Sequence, residues 1–108
     1  MANIYKNEMF DLANTGSNLI YTTPSDSRAI VKTIQTTNEG ANTLVTVTCN
    51  NGTSDFKSSI QDVTSNTHSN LIDGPLILQE NQTLSITANV ANTVTGVVSL
   101  LEINRNDQ

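Results

Sequence analysis

β-Branched and small apolar residues alternate with short polar ones along much of this chain, and turn-forming clusters break the alternation at short intervals. From Thr43 to Cys49, Val45, Val47 and Cys49 fall on one side of an extended backbone, with Thr46 and Thr48 on the other. Thr83 to Asn89 repeats the pattern, with Leu84, Ile86 and Ala88 facing in and Ser85 and Thr87 facing out. Ile, Val and Thr supply 33 of the 108 residues, and such side chains fit a pleated surface better than a helix. Turn chemistry lies between the runs: Asn14–Asn18, Pro24–Ser27, Glu39–Asn42, Asn50–Thr53, Asp73–Pro75 and Gln79–Gln82. The spacing predicts further strands at Glu8–Ala13, with Phe10 and Leu12 inward, and at Leu19–Thr22, Asp55–Ile60 and Leu76–Leu78. About eight strands with short links indicate an all-β antiparallel sandwich of jelly-roll or Greek-key type. Residues 1–7 read as an N-terminal arm, 8–103 as the sandwich and 104–108 as a polar tail. Gln61–Asn70 reads as the longest loop. A helix through Tyr5, Met9 and Leu12 is the alternative at the N-terminus.

Two segments are apolar on both faces. Arg28–Thr37 places Ile30 and Ile34 on one side, with Ala29 and Val31 on the other. Val94–Ile103 places Val98 and Leu100 on one side, with Val97, Leu101 and Ile103 on the other. A strand apolar on both faces has to be covered twice, and one thin sandwich covers it only once. Ile30, Ile34, Val97 and Leu101 are therefore candidate interface residues, joined by Ile4 and Tyr5 of the arm. The expectation is a homo-oligomer, with a trimer favoured.

Composition narrows the function classes. Only 36% of the chain is hydrophobic, and 15 Asn, 16 Thr and 10 Ser fill the deficit. No apolar run approaches the roughly 20 residues that span a bilayer, and no signal-peptide pattern opens the chain. A lone Cys49 makes no intrachain disulfide. Net charge is −5 and the five cations, Lys6, Arg28, Lys32, Lys57 and Arg105, are scattered. That balance disfavours nucleic acid. Neither a membrane nor a nucleic-acid partner is expected, and the chain reads as an acidic domain made in the cytosol.

Candidate chemistry is sparse. His68 lies among neutral polar residues, without the carboxylate or thiolate that would orient a catalytic or ligating imidazole. Cys49 sits on the inward side of its strand, where a free thiol acts as a small apolar filler. The acids fall in or beside turns, so no glycosidase-like pair stands out. Asn50–Asp55 gathers oxygen ligands but lacks the EF-hand order. Asn51-Gly52-Thr53 and Asn81-Gln82-Thr83 match the glycosylation pattern by accident in a chain without a signal peptide. Four aromatics and no Trp make a poor platform for stacking sugars. No catalytic residue, metal site or cofactor is assigned, and an enzyme is not expected.

Leu19-Ile20-Tyr21-Thr22-Thr23-Pro24-Ser25-Asp26-Ser27-Arg28-Ala29-Ile30-Val31-Lys32-Thr33-Ile34 resembles the "YT-x-P … (K/R)-A-I-V-(K/R)-x-I" opening of small tailed-bacteriophage virion proteins. Gly74-Pro75-Leu76-Ile77-Leu78 through Leu84 is similar to their proline-led hairpin, and Val97-Val98-Ser99-Leu100-Leu101-Glu102-Ile103 to their closing "S-x-L-E-I" strand. The turn after Pro24 lacks the glycine usual there. The resemblance spans residues 8 to 103 and implies a non-enzymatic structural protein of the virion. A capsid decoration (cement) protein bound to the major capsid protein is favoured. A tail or neck accessory, or a fibre module that binds a receptor or glycan, is the alternative. The motifs are architectural and transfer no site residues.

Overall fold

The computed structural model describes residues 2–104. Nine strands follow one another: β1 (Ala2–Asp11), β2 (Asn18–Thr22), β3 (Ser27–Asn38), β4 (Thr43–Asn50), β5 (Asp55–Val63), β6 (Thr67–Asn70), β7 (Leu76–Leu78), β8 (Thr83–Ala88) and β9 (Val94–Asn104). One sheet has the order β1-β9-β3-β6, with β7 also paired to β3, and the other has the order β2-β8-β4-β5. Every ladder is antiparallel. Most successive strands change sheet, and the two strand orders are those of a jelly roll. The fold class read from the alternation is the one observed.

The core lies between the sheets. Leu12, Ile34, Leu84, Ile86, Val47 and Leu100 are enclosed there, each contributing about 1.5–3 kcal/mol relative to an exposed position. Val45, Val47, Leu84, Ile86 and Ala88 are buried and Thr46, Ser85 and Thr87 are not, as the alternation requires. Phe10 lies opposite Gly96 across the β1–β9 ladder. A Cβ at Gly96 would run into the Phe10 ring and the Gln35 carbonyl, so the glycine lets the ring lie flat on the strand.

Asn supplies much of the turn chemistry that five glycines cannot. Asn66, Asn81 and Asn92 adopt positive φ of 59°, 66° and 64°, a region Asn tolerates better than most residues. Asn14 Oδ1 accepts from the Gly16 amide, and Asn51 Oδ1 from the Thr53 and Ser54 amides. Asn38 is fully buried, donating from Nδ2 to the carbonyls of Ala41 (2.7 Å) and Val63 (2.8 Å). Its Oδ1 accepts from the Gly40 amide at 3.0 Å, so one side chain holds two loops at the end of the sandwich.

Several expectations are corrected. Residues 2–7 form no separate arm: they are the first part of β1, paired with β9 from Ala2↔Asn104 to Asn7↔Ser99, and the helical alternative fails with them. Gln61–Asn70 is not a long loop. β5 runs on to the buried Val63, a tight turn at Thr64–Thr67 crosses to the other sheet, and β6 begins. Ile34 does not share a face with Ile30. The β3–β9 register shifts between Val31 and Thr33, so the bulge at Lys32 turns Ile34 into the core at 0% exposure. Of the tail expected at 104–108, Asn104 belongs to β9 and residues 105–108 lie outside the described residues.

Candidate functional site

Register and burial together define the outer face of the β1-β9-β3-β7 sheet. Ala29, Val31, Val98 and Leu100 point into the core, so their strand neighbours point away from it. One row crosses four strands: Tyr5 opposite Leu101, Leu101 opposite Ile30, and Ile30 opposite Ile77. Tyr5 is 80% and Ile77 63% exposed, while Ile30 and Leu101 between them are partly exposed. A second row sets Met9, also 80% exposed, opposite Val97. Lys32 and Arg28 border this band, Arg28 Nε lies 3.6 Å from Glu80 Oε1, and Asp11 stands at the far end. A shallow depression of about 260 Å³ lies beside Tyr5, Asn7, Lys32 and Ser99.

Four residues singled out from sequence, Tyr5, Ile30, Val97 and Leu101, share this face. Ile4 does not: its register partner is the core-facing Glu102, and it sits on the inner side of β1 where the sandwich opens, 47% exposed. Ile34 is in the core. Met9 and Ile77 were missed as members of the band. The signal for Ile77 was present, since three successive apolar residues in a strand force the middle one outward. Met9 follows likewise once Phe10 is placed inward.

A charged cluster lies against the interior at Tyr21, Glu102 and Lys6. Tyr21 Oη donates to Glu102 Oε2 at 2.6 Å, Lys6 Nζ lies 3.4 Å from the same oxygen, and Lys6 stands 6.0 Å from the Tyr21 ring centre. Burial pushes the Tyr21 hydroxyl well above its ordinary range, aided by the Glu102 hydrogen bond and charge. Glu102 is buried at 8% exposure. Its visible consequence is to tie β1, β2 and β9 together across the two sheets, and the Glu8 carboxylate stands near enough to add its charge to the Tyr21 shift. Tyr21 and Glu102, quoted above from motifs at opposite ends of the chain, thus meet as one contact.

Elsewhere the side chains named from sequence do not converge. His68 is exposed on β6 opposite Thr37. Cys49 is partly buried, and desolvation pushes its thiol up, away from the reactive thiolate. In the Asn50–Asp55 loop, the Asn50 and Asn51 oxygens accept from loop amides and Asp55 Oδ1 from Asn50 Nδ2. No group of three His, Cys, Asp or Glu among the described residues is placed to hold a metal ion.

No protein-family model and no curated protein matches this chain. Solved structures do. A chain from the capsid of Helicobacter pylori bacteriophage KHP30 aligns with a TM-score of 0.63 at 18% identity, over 95% of this chain and 88% of that one. A chain from the disulfide-linked pili that form Bacillus endospore appendages aligns at 0.60 and 12% identity, over 94% and 88%. A chain of infectious bursal disease virus, Gx strain, aligns at 0.57 and 9% identity, over 97% of this chain but 34% of that one. At these identities the likeness is one of fold, and what this chain shares with the viral and pilus chains is the two-sheet sandwich itself.

Proposed function

We propose that this protein is a non-enzymatic structural subunit of a phage virion, and more narrowly a capsid decoration protein. In this reading, copies associate as a homotrimer, bind the major capsid protein of the assembled shell and brace neighbouring capsomers. The observation that carries it is the Tyr5–Leu101–Ile30–Ile77 row, an apolar band open to water in the protomer, with the Met9–Val97 pair beyond the intervening Asn7–Ser99 pair. A contiguous band of this kind is a mark of a surface that meets another protein. Lys32 beside it suits an acidic group on the partner, while Arg28 already faces Glu80 at 3.6 Å. The motif resemblance to phage virion proteins and the shared fold with a phage capsid chain support the same reading. Repetition supplies the strength: a modest contact multiplied over many copies on a shell stabilises it with no catalysis.

The test mixes the purified protein with capsids assembled without it and measures co-sedimentation, alongside light scattering of the free protein. Saturable binding that Ile30→Asp with Leu101→Asp abolishes supports the reading. Undiminished binding by that variant rules out the band as the docking face, and a monomer in light scattering at high concentration rules out the trimer.

A further inference from the structure

The free edge of β1 offers a second contact that the outer band does not require. β1 pairs only with β9, leaving its other side open along ten residues, Ala2–Asp11. An unpaired edge is a template for another strand, and proteins usually blunt it with shortness, bulges, proline or charge. The other edges carry such devices. β2 has five residues and a bulge, the ladder of β5 is bulged at Val47/Thr48, and β6 and β7 are short pieces separated by a segment containing Pro75. β1 is long, unbulged and without proline, and the charges it does carry, Lys6, Glu8 and Asp11, are of both signs, so a suitably registered partner strand can match them.

We propose that this edge pairs with the same edge of a second copy, antiparallel, across a two-fold axis through Asn7. The charges choose the register. Both outer faces stay on one side of the joined sheet only when even-numbered residues oppose even ones and odd oppose odd. Centred on Lys6, the pairing sets Lys6 against its own copy; centred on Glu8, it does the same with the acid, and directly opposed like charges destabilise. Centred on Asn7, it sets Lys6 opposite Glu8 twice, Tyr5 opposite Met9 twice and Ile4 opposite Phe10 twice. Two-fold contacts demand this self-complementarity. The same register joins the Tyr5–Leu101–Ile30–Ile77 row of one copy to the Met9–Val97 row of the other, so the apolar band runs unbroken across both. Such an edge would link neighbouring trimers without competing for their faces.

The test is cross-linking of the full chain. In a Cys49→Ser background, Asn7→Cys places two thiols on the axis, where directly opposed residues have Cα atoms about 4.5–5.5 Å apart, within disulfide range. Under mild oxidation this variant should form a disulfide-linked dimer at least about tenfold faster than Thr53→Cys, an exposed loop control in the same background. Asn3→Cys alone should match the control and speed up only when mixed with Asp11→Cys. Asn7→Lys, at an exposed position, should keep its circular dichroism and lose the dimer. Cross-linking of Asn7→Cys at the control rate, or a dimer that survives Asn7→Lys, overturns the proposal. If either happens while capsid binding through the outer band persists, the edge contact alone has failed.

Discussion

The two outer faces of this sandwich have the same backbone and opposite surfaces. On the β1-β9-β3-β7 sheet, apolar side chains stand opposite one another across four strands. On the other sheet the row through Leu19 continues into Ser85, Thr48 and Lys57, and the row through Thr87 and Thr46 ends at Ile60. Leu19, Leu44 and Ile60 are exposed there, but each faces a polar partner across its ladder: Ser85, Asp62 and Thr46. Scattered apolar residues are ordinary on a protein surface, whereas a connected row is not. The contrast shows that position matters more than count. Thr on the second face keeps the β-branched shape that strands favour and supplies a hydroxyl for water, which makes that face a surface the protein can leave wet.

The largest expected effect separates the core from the band. Ile30 and Ile34 differ by one bulge, and the bulge decides which of them the protein needs in order to fold. Ile34→Ala should lower unfolding stability by about 2–5 kcal/mol, the usual cost of emptying an enclosed site, as read by urea denaturation. Ile30→Ala, on the band, should cost less than about 1 kcal/mol by the same measurement. Equal losses at both positions would erase the distinction between core and outer face.

Next comes the band itself. Replacing Ile30 and Leu101 together with Ser should weaken binding to capsids, or between copies, by about 10–100-fold, equivalent to about 1.4–2.7 kcal/mol. Unfolding stability should be nearly preserved. The pair Leu19→Ser and Ile60→Ser on the opposite face removes as many apolar side chains and should leave binding unchanged. A matching loss there would mean that both faces are contact surfaces.

A smaller effect concerns what holds β1 against the sandwich and so keeps Tyr5 on the band. Tyr21→Phe removes the donor to Glu102 and should cost about 1–2 kcal/mol. The pH dependence follows from the raised Tyr21 hydroxyl. The folded state favours the protonated phenol, so this contribution is complete below the ordinary tyrosine range near 10 and is lost as pH rises beyond it. Stability of the native chain should therefore fall above about pH 10, and Tyr21→Phe should flatten that limb in denaturation curves taken across alkaline pH. An unchanged limb would assign the alkaline loss to other groups.

Much of the sandwich was legible because its signal is local. The alternation of Thr43–Cys49 and Thr83–Asn89 fixes side-chain direction residue by residue, and the turn clusters mark where it stops. Ile30, Val97 and Leu101 were legible as surplus apolar residues for the same reason, whereas Tyr5 was reached only as part of the supposed arm. Ile34 was not, because the bulge at Lys32 is set by pairing with β9, and parity counted along one strand carries across a bulge with the wrong sign. Residues 2–7 were misread because the partner that makes them a strand lies about a hundred residues away. The Tyr21–Glu102 contact was hidden similarly: each residue stood in a recognisable motif, but neither motif says which residue the other touches.

The smallest expected effect is the one that most sharpens the contrast between faces. Thr46 and Thr87 stand directly opposite each other on the polar sheet. Thr46→Lys with Thr87→Glu replaces two hydroxyls with a cross-strand ion pair and removes two β-branched side chains. Cross-strand opposite charges return roughly 0.2–1 kcal/mol, which offsets the lost propensity and leaves a net change within about 0.5 kcal/mol in thermal or chemical unfolding. The single variants, each with an unpaired charge on a solvated face, should also fold. Because that face is left to water, capsid binding and the oligomeric state should not change in any of the three. If the paired variant keeps its stability and still fails to assemble, the Thr-rich face is an interface too, and the polar rows would have to be read as hydrogen-bonding complements to a partner rather than as a wet surface.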